Sequence, residues 1–132
     1  MDYIISIEEF KNAIPLICDA ETAWRSEEWK KDIPETENCD VVSLLAQEIF
    51  GGTLRHANLS HIPGFEKVTS HFWNRLPDGT EIDFTVRQFR GKTYSEKGKS
   101  YSRKRLLSFN KVRVRYEKIF ERFQKQFKTS RV

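Results

Sequence analysis

The sequence predicts an α+β fold in which a buried helix lies against a small antiparallel sheet and an amphipathic helix closes the C-terminus. Three stretches predict it. Residues 39–50, bounded by Asn38 and Gly51-Gly52, are apolar almost all round, so this helix belongs inside. Residues 70–85 read as two strands flanking Pro77-Asp78-Gly79. From Phe109 onward, Val112, Tyr116, Ile119 or Phe120, Phe123 and Phe127 recur at helical spacing among lysines and arginines.

The first helix opens at Ser6. Glu9, three residues on, completes a capping box, and Ile7, Phe10, Ala13 (or Ile14) and Ile17 form the apolar stripe. The helix is expected to run to about Cys18, and residues 19–24 extend or restart it. Residues 30–37, with Pro34, form a loop feeding the central helix. Asn38 is its expected N-cap, and Gly51-Gly52 supply the left-handed stop. Cys39 therefore lies in the first turn, where unpaired N–H groups and the helix dipole favour a thiolate. The same position also suits an inert buried thiol packed as a small hydrophobe.

Thr53 to His56 alternates weakly and suggests a short strand; residues 58–70 form a loop with one more short strand. In the following hairpin, parity decides the register. A two-residue loop at Asp78-Gly79 mixes charged and apolar groups on both faces. A three-residue loop, Pro77-Asp78-Gly79, opposes Phe72 to Phe84, Asn74 to Ile82 and Trp73 to Asp83. Phe72, Leu76, Ile82 and Phe84 then share one face, and His71, Trp73, Arg75, Glu81, Asp83 and Thr85 the other. His71 and Asp83 become diagonal neighbours with Cβ atoms about 7–8 Å apart or somewhat less, within reach of an imidazole–carboxylate hydrogen bond. Trp73 is expected to pack over that pair or to meet substrate. Val86 to Phe89 ends the strand, residues 90–102 form an exposed loop, and residues 102–107 make one or two helical turns.

The chain of 132 residues is expected to form one domain, 1–132, with a charge division inside it. Residues 1–89 carry 8 basic and 16 acidic side chains, and residues 90–132 carry 15 and 3. Either a basic tail seeks an acidic partner or the two segments pack on each other. Arg103, Lys104 and Arg105, next to Tyr101, form the candidate basic patch for nucleic acid or an acidic protein. No run approaches the roughly 18 apolar residues of a membrane span, and the acidic N-terminus does not read as a signal peptide. Two cysteines, Cys18 and Cys39, make no disulfide scaffold, so a reduced, cytoplasmic setting is expected, with a Cys18–Cys39 bridge left open. His56, His61 and His71 lack metal-ligand spacing, and no cofactor is expected. The oligomeric state is not legible.

Glu21-Thr22-Ala23, Cys39 with Gln47-Glu48-Ile49-Phe50-Gly51-Gly52, His71-Phe72-Trp73-Asn74-Arg75-Leu76-Pro77-Asp78-Gly79, and Ile82-Asp83-Phe84-Thr85 with Gln88-Phe89 together resemble the YunG family of small, functionally uncharacterised bacterial proteins. The resemblance runs from about residue 19 to 90, with Arg115-Tyr116-Glu117 similar to the family's end. The order of cysteine at a helix start, then histidine, then aspartate on the next strand also resembles papain-like and transglutaminase-like thiol enzymes. That resemblance implies Cys39 as nucleophile, His71 as base and Asp83 as its orienter, acting on a peptide or protein amide. Hydrolysis, deamidation and transamidation remain alternatives, beside a binding module and a fold with a dead thiol. The family shows Gly-Gln before the cysteine, where this chain has Glu37-Asn38, so Asn38 stands where an oxyanion donor is implied. Asp40 follows the cysteine where the family is small or neutral; a carboxylate there opposes thiolate formation.

Overall fold

The computed structural model describes residues 4–127. Helix α1, Ile7–Ile17, starts with the full capping box: Glu9 N–H donates to Ser6 Oγ (3.0 Å), and Ser6 N–H to Glu9 Oε1 (2.8 Å). Its buried face is Phe10, Ala13, Ile14 and Ile17. The helix does not continue into residues 19–24. There Asp19 N–H donates to Thr22 Oγ1 (3.0 Å) and Thr22 N–H to Asp19 Oδ1 (3.3 Å), a reciprocal turn that replaces helical bonding.

Helix α2, Cys39–Phe50, buries every residue from Asp40 to Ala46. It stops where Gly51 (φ +79°) and Gly52 (φ +81°) turn left-handed. At Gly52 the reversal passes so close to the next hairpin that a Cβ would lie 2.0 Å from the Arg75 carbonyl oxygen. Glycine at that position is a requirement of both φ and space.

The reversal leads into a four-stranded antiparallel sheet of β1 (Thr53–Ala57), β2 (His71–Arg75), β3 (Glu81–Ile82) and β4 (Lys99–Tyr101), in the order β3-β2-β1-β4. The hairpin has the register that parity selects: Asn74 faces Ile82 and Arg75 faces Glu81. Leu76 N–H donates to Thr80 O (2.8 Å), closing the three-residue loop in which Gly79 has φ +90°. Strand β3 is shorter than the alternation suggests. After Ile82 the chain leaves the sheet, and Val86–Phe89 is a 3-10 turn rather than strand.

Period-2 alternation divides the sheet's surroundings. Leu54 and Phe72 face the helices and join Phe10, Leu44, Leu45, Ile119 and Phe123 in the main core. Phe10 meets Phe84 edge-on at 4.9 Å and Phe50 at 5.5 Å, a favoured geometry for paired aromatics. Ala57 and Trp73 face the opposite way, into a second cluster with Leu59, Phe65, Phe89 and Tyr94. Loops 58–70 and 86–94 cover that face. The first holds a chain of turns, with Leu59 N–H on Val68 O (2.9 Å), where the sequence suggests a further short strand. Residues 90–102 are not simply an exposed loop either, since Tyr94 packs inward and Lys99–Tyr101 forms β4.

Helix α3, Arg103–Leu107, is capped by Ser102, and α4 runs Asn110–Gln126. The two charge blocks pack on each other. Arg122 reaches Asp19 (3.0 Å) and Glu21 (3.2 Å), Arg103 reaches Glu48 (2.9 Å), and Arg115 reaches Asp40 (2.8 Å). Among the described residues, no helix is long and apolar enough to cross a membrane.

Candidate functional site

His71 opens β2 and Asp83 follows β3, so the hairpin brings them together across one edge. His71 Nε2 lies 2.7 Å from Asp83 Oδ2, with His71 1% exposed. The carboxylate is the acceptor, so Nε2 carries the proton and Nδ1 is left as the basic nitrogen. Asp83 is itself held on both oxygens. Oδ2 also accepts the Tyr94 hydroxyl (2.7 Å), and Oδ1 accepts the Thr85 N–H (3.0 Å) and hydroxyl (3.3 Å). Burial, then the Asp83 charge, pushes the Tyr94 phenol far above its ordinary range, so it stays a donor.

Aromatic rings enclose the imidazole. Trp73 stacks on it at 5.9 Å, while Phe89 (4.9 Å) and Tyr94 (5.6 Å) meet it edge-on. Trp73 is buried, and its indole N–H donates to Glu81 Oε1 (2.6 Å). Its ring lies on His71, and it lines a cleft of about 310 Å³ with Val86, Tyr94, Glu81, Asp83 and Glu96. A larger cleft of about 590 Å³ lies between Trp24 and α4 and touches none of Cys39, His71 or Asp83.

Cys39 heads α2 as a half-buried free thiol. Because β3 pairs with Asn74 and Arg75, the start of β2 is left open on that side, and the Phe72 backbone N–H is near enough to the Cys39 sulfur to favour its thiolate. The thiol thus sits against the residue next to His71, although no hydrogen bond joins Cys39 to His71 among the described residues. Burial pushes the Cys39 thiol well above its ordinary range, and the Asp40 charge adds to this, against the Phe72 N–H. Asp40 itself turns away from the sulfur, to Arg115.

Asn38 occupies the N-cap position without capping. It is fully buried, and its amide nitrogen donates to Thr36 O (2.8 Å). Its Oδ1 has no hydrogen-bond partner among the described residues. Glu37, just before it, has φ +64°, the conformation that glycine accepts most easily.

Gln47, about two turns along α2 from Cys39, donates to Gly52 O (3.1 Å) and accepts from Arg103 (3.1 Å). The basic triplet is not gathered on one surface. Arg103 turns inward to Leu44 O (2.9 Å) and the Tyr116 hydroxyl (2.9 Å), Arg105 lies over the Tyr101 ring, and Lys104 is exposed. Cys18 is a free buried thiol at the end of α1. His56 bonds Ser70 (2.7 Å) and His61 pairs with Glu96 (3.1 Å). Among the described residues, no group of three or more His, Cys, Asp or Glu side chains is arranged to hold a metal ion.

Compared with known proteins, residues 6–128 match the YunG protein family. The chain belongs to the YunG family. No curated protein and no solved structure matches it. Within this YunG chain, Tyr94, Thr85 and Gln88 join the site although sequence reasoning gives them no role. Gln88 carries a signal, as part of the family's Gln-Phe pair. Tyr94 carries none, being a single aromatic in a Lys/Gly-rich loop.

Proposed function

We propose that this YunG protein is a thiol-dependent acyl-transfer enzyme acting on a peptide or protein amide, with a papain-like or transglutaminase-like arrangement of Cys39, His71 and Asp83. The observation that carries the reading is the 2.7 Å bond from His71 Nε2 to Asp83 Oδ2, which makes Nδ1 the basic nitrogen.

The resting thiol is protonated. On substrate binding, the Cys39 proton passes to His71 Nδ1 and the sulfur adds to the carbonyl carbon. The imidazolium is stabilised by Asp83, and the Cys39 backbone N–H faces the developing oxyanion. Collapse breaks the C–N bond, and His71 returns the proton to the leaving amine. Water or a second amine, deprotonated by His71, then attacks the thioester; the C–S bond breaks, and His71 returns the proton to the departing Cys39 sulfur. Trp73, Phe89 and Tyr94 exclude water from the imidazole.

The test is peptide-resolved iodoacetamide labelling of Cys39 and Cys18 across pH, in the wild type and in His71→Ala. A buried, unassisted thiol labels only well above the ordinary pKa of about 8.5. The proposal expects a component of Cys39 labelling below that pH that disappears in His71→Ala, followed by thioester-dependent turnover in a screen of amides and esters. A Cys39 profile identical in the two proteins overturns it.

A further inference from the structure

Cys39 and the His71–Asp83 pair reach the site on separate parts of the chain, and one side chain ties them together. Gln88, in the 3-10 turn Val86–Phe89, accepts the Glu37 N–H at Oε1 (3.2 Å) and donates from Nε2 to Thr85 Oγ1 (2.9 Å). Thr85, having accepted, directs its own hydroxyl proton to Asp83 Oδ1 (3.3 Å). The chain of bonds therefore runs from the segment that carries Cys39 to the carboxylate that orients His71.

The directions of these bonds are forced. Glu37 offers a backbone N–H, so the amide oxygen must face it, which turns the NH₂ group to Thr85. Asp83 as a carboxylate accepts only, so Thr85 must donate to it. A second link runs beside the first, where Arg87 grips Glu35 with bonds of 2.7 and 3.0 Å. The Glu35 side chain is 3% exposed and the Arg87 side chain 58%, so this link anchors the loop at its outer end while Gln88 works closer to the site.

Glu37 is where such a tie matters most. Its φ of +64° is a costly conformation for a residue with a side chain, and it persists only where its surroundings over-determine it. Its N–H is held by Gln88, and its carbonyl by the Trp24 N–H (2.7 Å) and by Arg115 (3.4 Å). Two residues on, the same backbone delivers Cys39. Losing the Gln88 bond removes one of the contacts that hold Glu37 in this conformation, directly upstream of α2.

We infer that Gln88 is a positioning residue that sets Cys39 against the His71–Asp83 pair; this role rests on the thiol-enzyme reading above. The experiment uses the whole chain with Gln88→Met, Thr85→Val, the double variant and His71→Ala, each followed by peptide-resolved iodoacetamide labelling of Cys39 from about pH 5.5 to 9.5. Gln88→Met and Thr85→Val are each expected to lower the His71-dependent labelling rate about three- to ten-fold, the range of one lost hydrogen bond. The double variant should fall no further than the worse single one, because both cut the same chain of bonds.

A Gln88→Met protein that melts earlier but keeps the wild-type pH profile overturns the role, as do additive effects in the double variant. Should Gln88→Met fail to fold, Thr85→Val decides by the same criterion. A wild-type profile already indifferent to His71→Ala overturns the thiol reading itself and Gln88's role with it. A His71-dependent profile untouched at Gln88 and Thr85 overturns the positioning role alone.

Discussion

Arg115 grips Asp40 with two parallel bonds, Nη1 to Oδ2 and Nη2 to Oδ1, each 2.8 Å long, in the protein interior. The same guanidinium donates from Nε to Thr22 O (2.9 Å) and from Nη2 to Glu37 O (3.4 Å). One side chain on α4 thus holds the first turn of α2, the turn before it and the strained backbone at Glu37. Arg suits this as Lys does not, because its planar fork supplies several directed donors at once.

Breaking that pair from either side should cost far more than a surface ion pair. Arg115→Met and Asp40→Leu, each leaving the other charge buried and alone, are expected to lose about 3–5 kcal/mol. The double variant Asp40→Leu/Arg115→Met should recover part of that, since no unpaired charge remains. Urea denaturation of the four proteins checks it. By comparison, Lys125→Ala, which breaks an exposed pair with Glu121, should change stability by less than about 1 kcal/mol.

Two glycines with similar φ should respond very differently to alanine. Gly79, at φ +90°, has no atom of the described residues within 4 Å of the point a Cβ would occupy, so Gly79→Ala meets the left-handed backbone cost of about 1–2 kcal/mol. Gly52→Ala meets that cost and also drives a methyl into the Arg75 carbonyl at 2.0 Å, which β2 can relieve only by moving. Thermal melts should place Gly52→Ala well below Gly79→Ala. Equal melting temperatures would show that the α2–β1 reversal is free to shift.

Much of this is legible from residue order, for physical reasons that differ by element. The hairpin register follows from segregation of faces, since a one-residue slip inverts every side chain. The His71–Asp83 pairing comes with that register. The capping box and the Gly51-Gly52 stop are local, and local chemistry can be read locally. Its charge alone would put Arg115 on the solvated face of α4, yet it stands three residues after Val112 and four before Ile119 and lies in the buried stripe with Tyr116 and Phe123. Its burial depends on Asp40, 75 residues away, which helical spacing alone cannot supply. Asn38 stands at the expected N-cap position but does not cap: its Nδ2 donates back to Thr36 O, and Oδ1, the atom a cap requires, accepts no helix N–H. Strand β4 and the inward turn of Tyr94 escape a sequence reading because their positions follow from how a polar loop closes over the sheet, and no periodicity marks that closure.

Both thiols make stability fall in alkali. Burial raises the Cys18 thiol above its ordinary range, as it does that of Cys39. A group whose folded pKa is raised adds stability that is intact below its unfolded pKa, about 8.5 for a thiol, and lost as pH rises toward the folded value. Above about pH 8.5 the unfolded chain loses thiol protons that the native protein retains, so each thiol is expected to contribute a decline of up to about 1.4 kcal/mol per pH unit. Tyr94 adds a similar decline above about pH 10. Denaturation at pH values from about 8 to 11 should show a shallower slope in Cys18→Ala than in the wild type. Parallel curves would mean that the Cys18 thiol titrates normally in the folded chain.

Asp83 receives four donors, from His71, Tyr94 and the N–H and O–H of Thr85, and an asparagine cannot accept them all. In Asp83→Asn one arm of the side chain becomes NH₂. Turned to Thr85, it opposes a backbone N–H; turned to His71, it opposes the Nε2–H and forces the proton onto Nδ1. The second choice abolishes the base that thiol chemistry needs. Asp83→Asn is therefore expected to lose about 10²- to 10⁴-fold of the His71-dependent reactivity at Cys39, with a stability loss of about 1–3 kcal/mol. Tyr94→Phe removes one donor from Asp83 and leaves the tautomer intact, so its loss of reactivity should stay below about ten-fold. Nitrogen chemical shifts of the His71 ring distinguish the cases, with the proton on Nε2 in the wild type and in Tyr94→Phe and on Nδ1 in Asp83→Asn. If Asp83→Asn keeps both the wild-type tautomer and the wild-type Cys39 labelling profile, Asp83 is a structural acceptor for its own loop and does not orient a catalytic base.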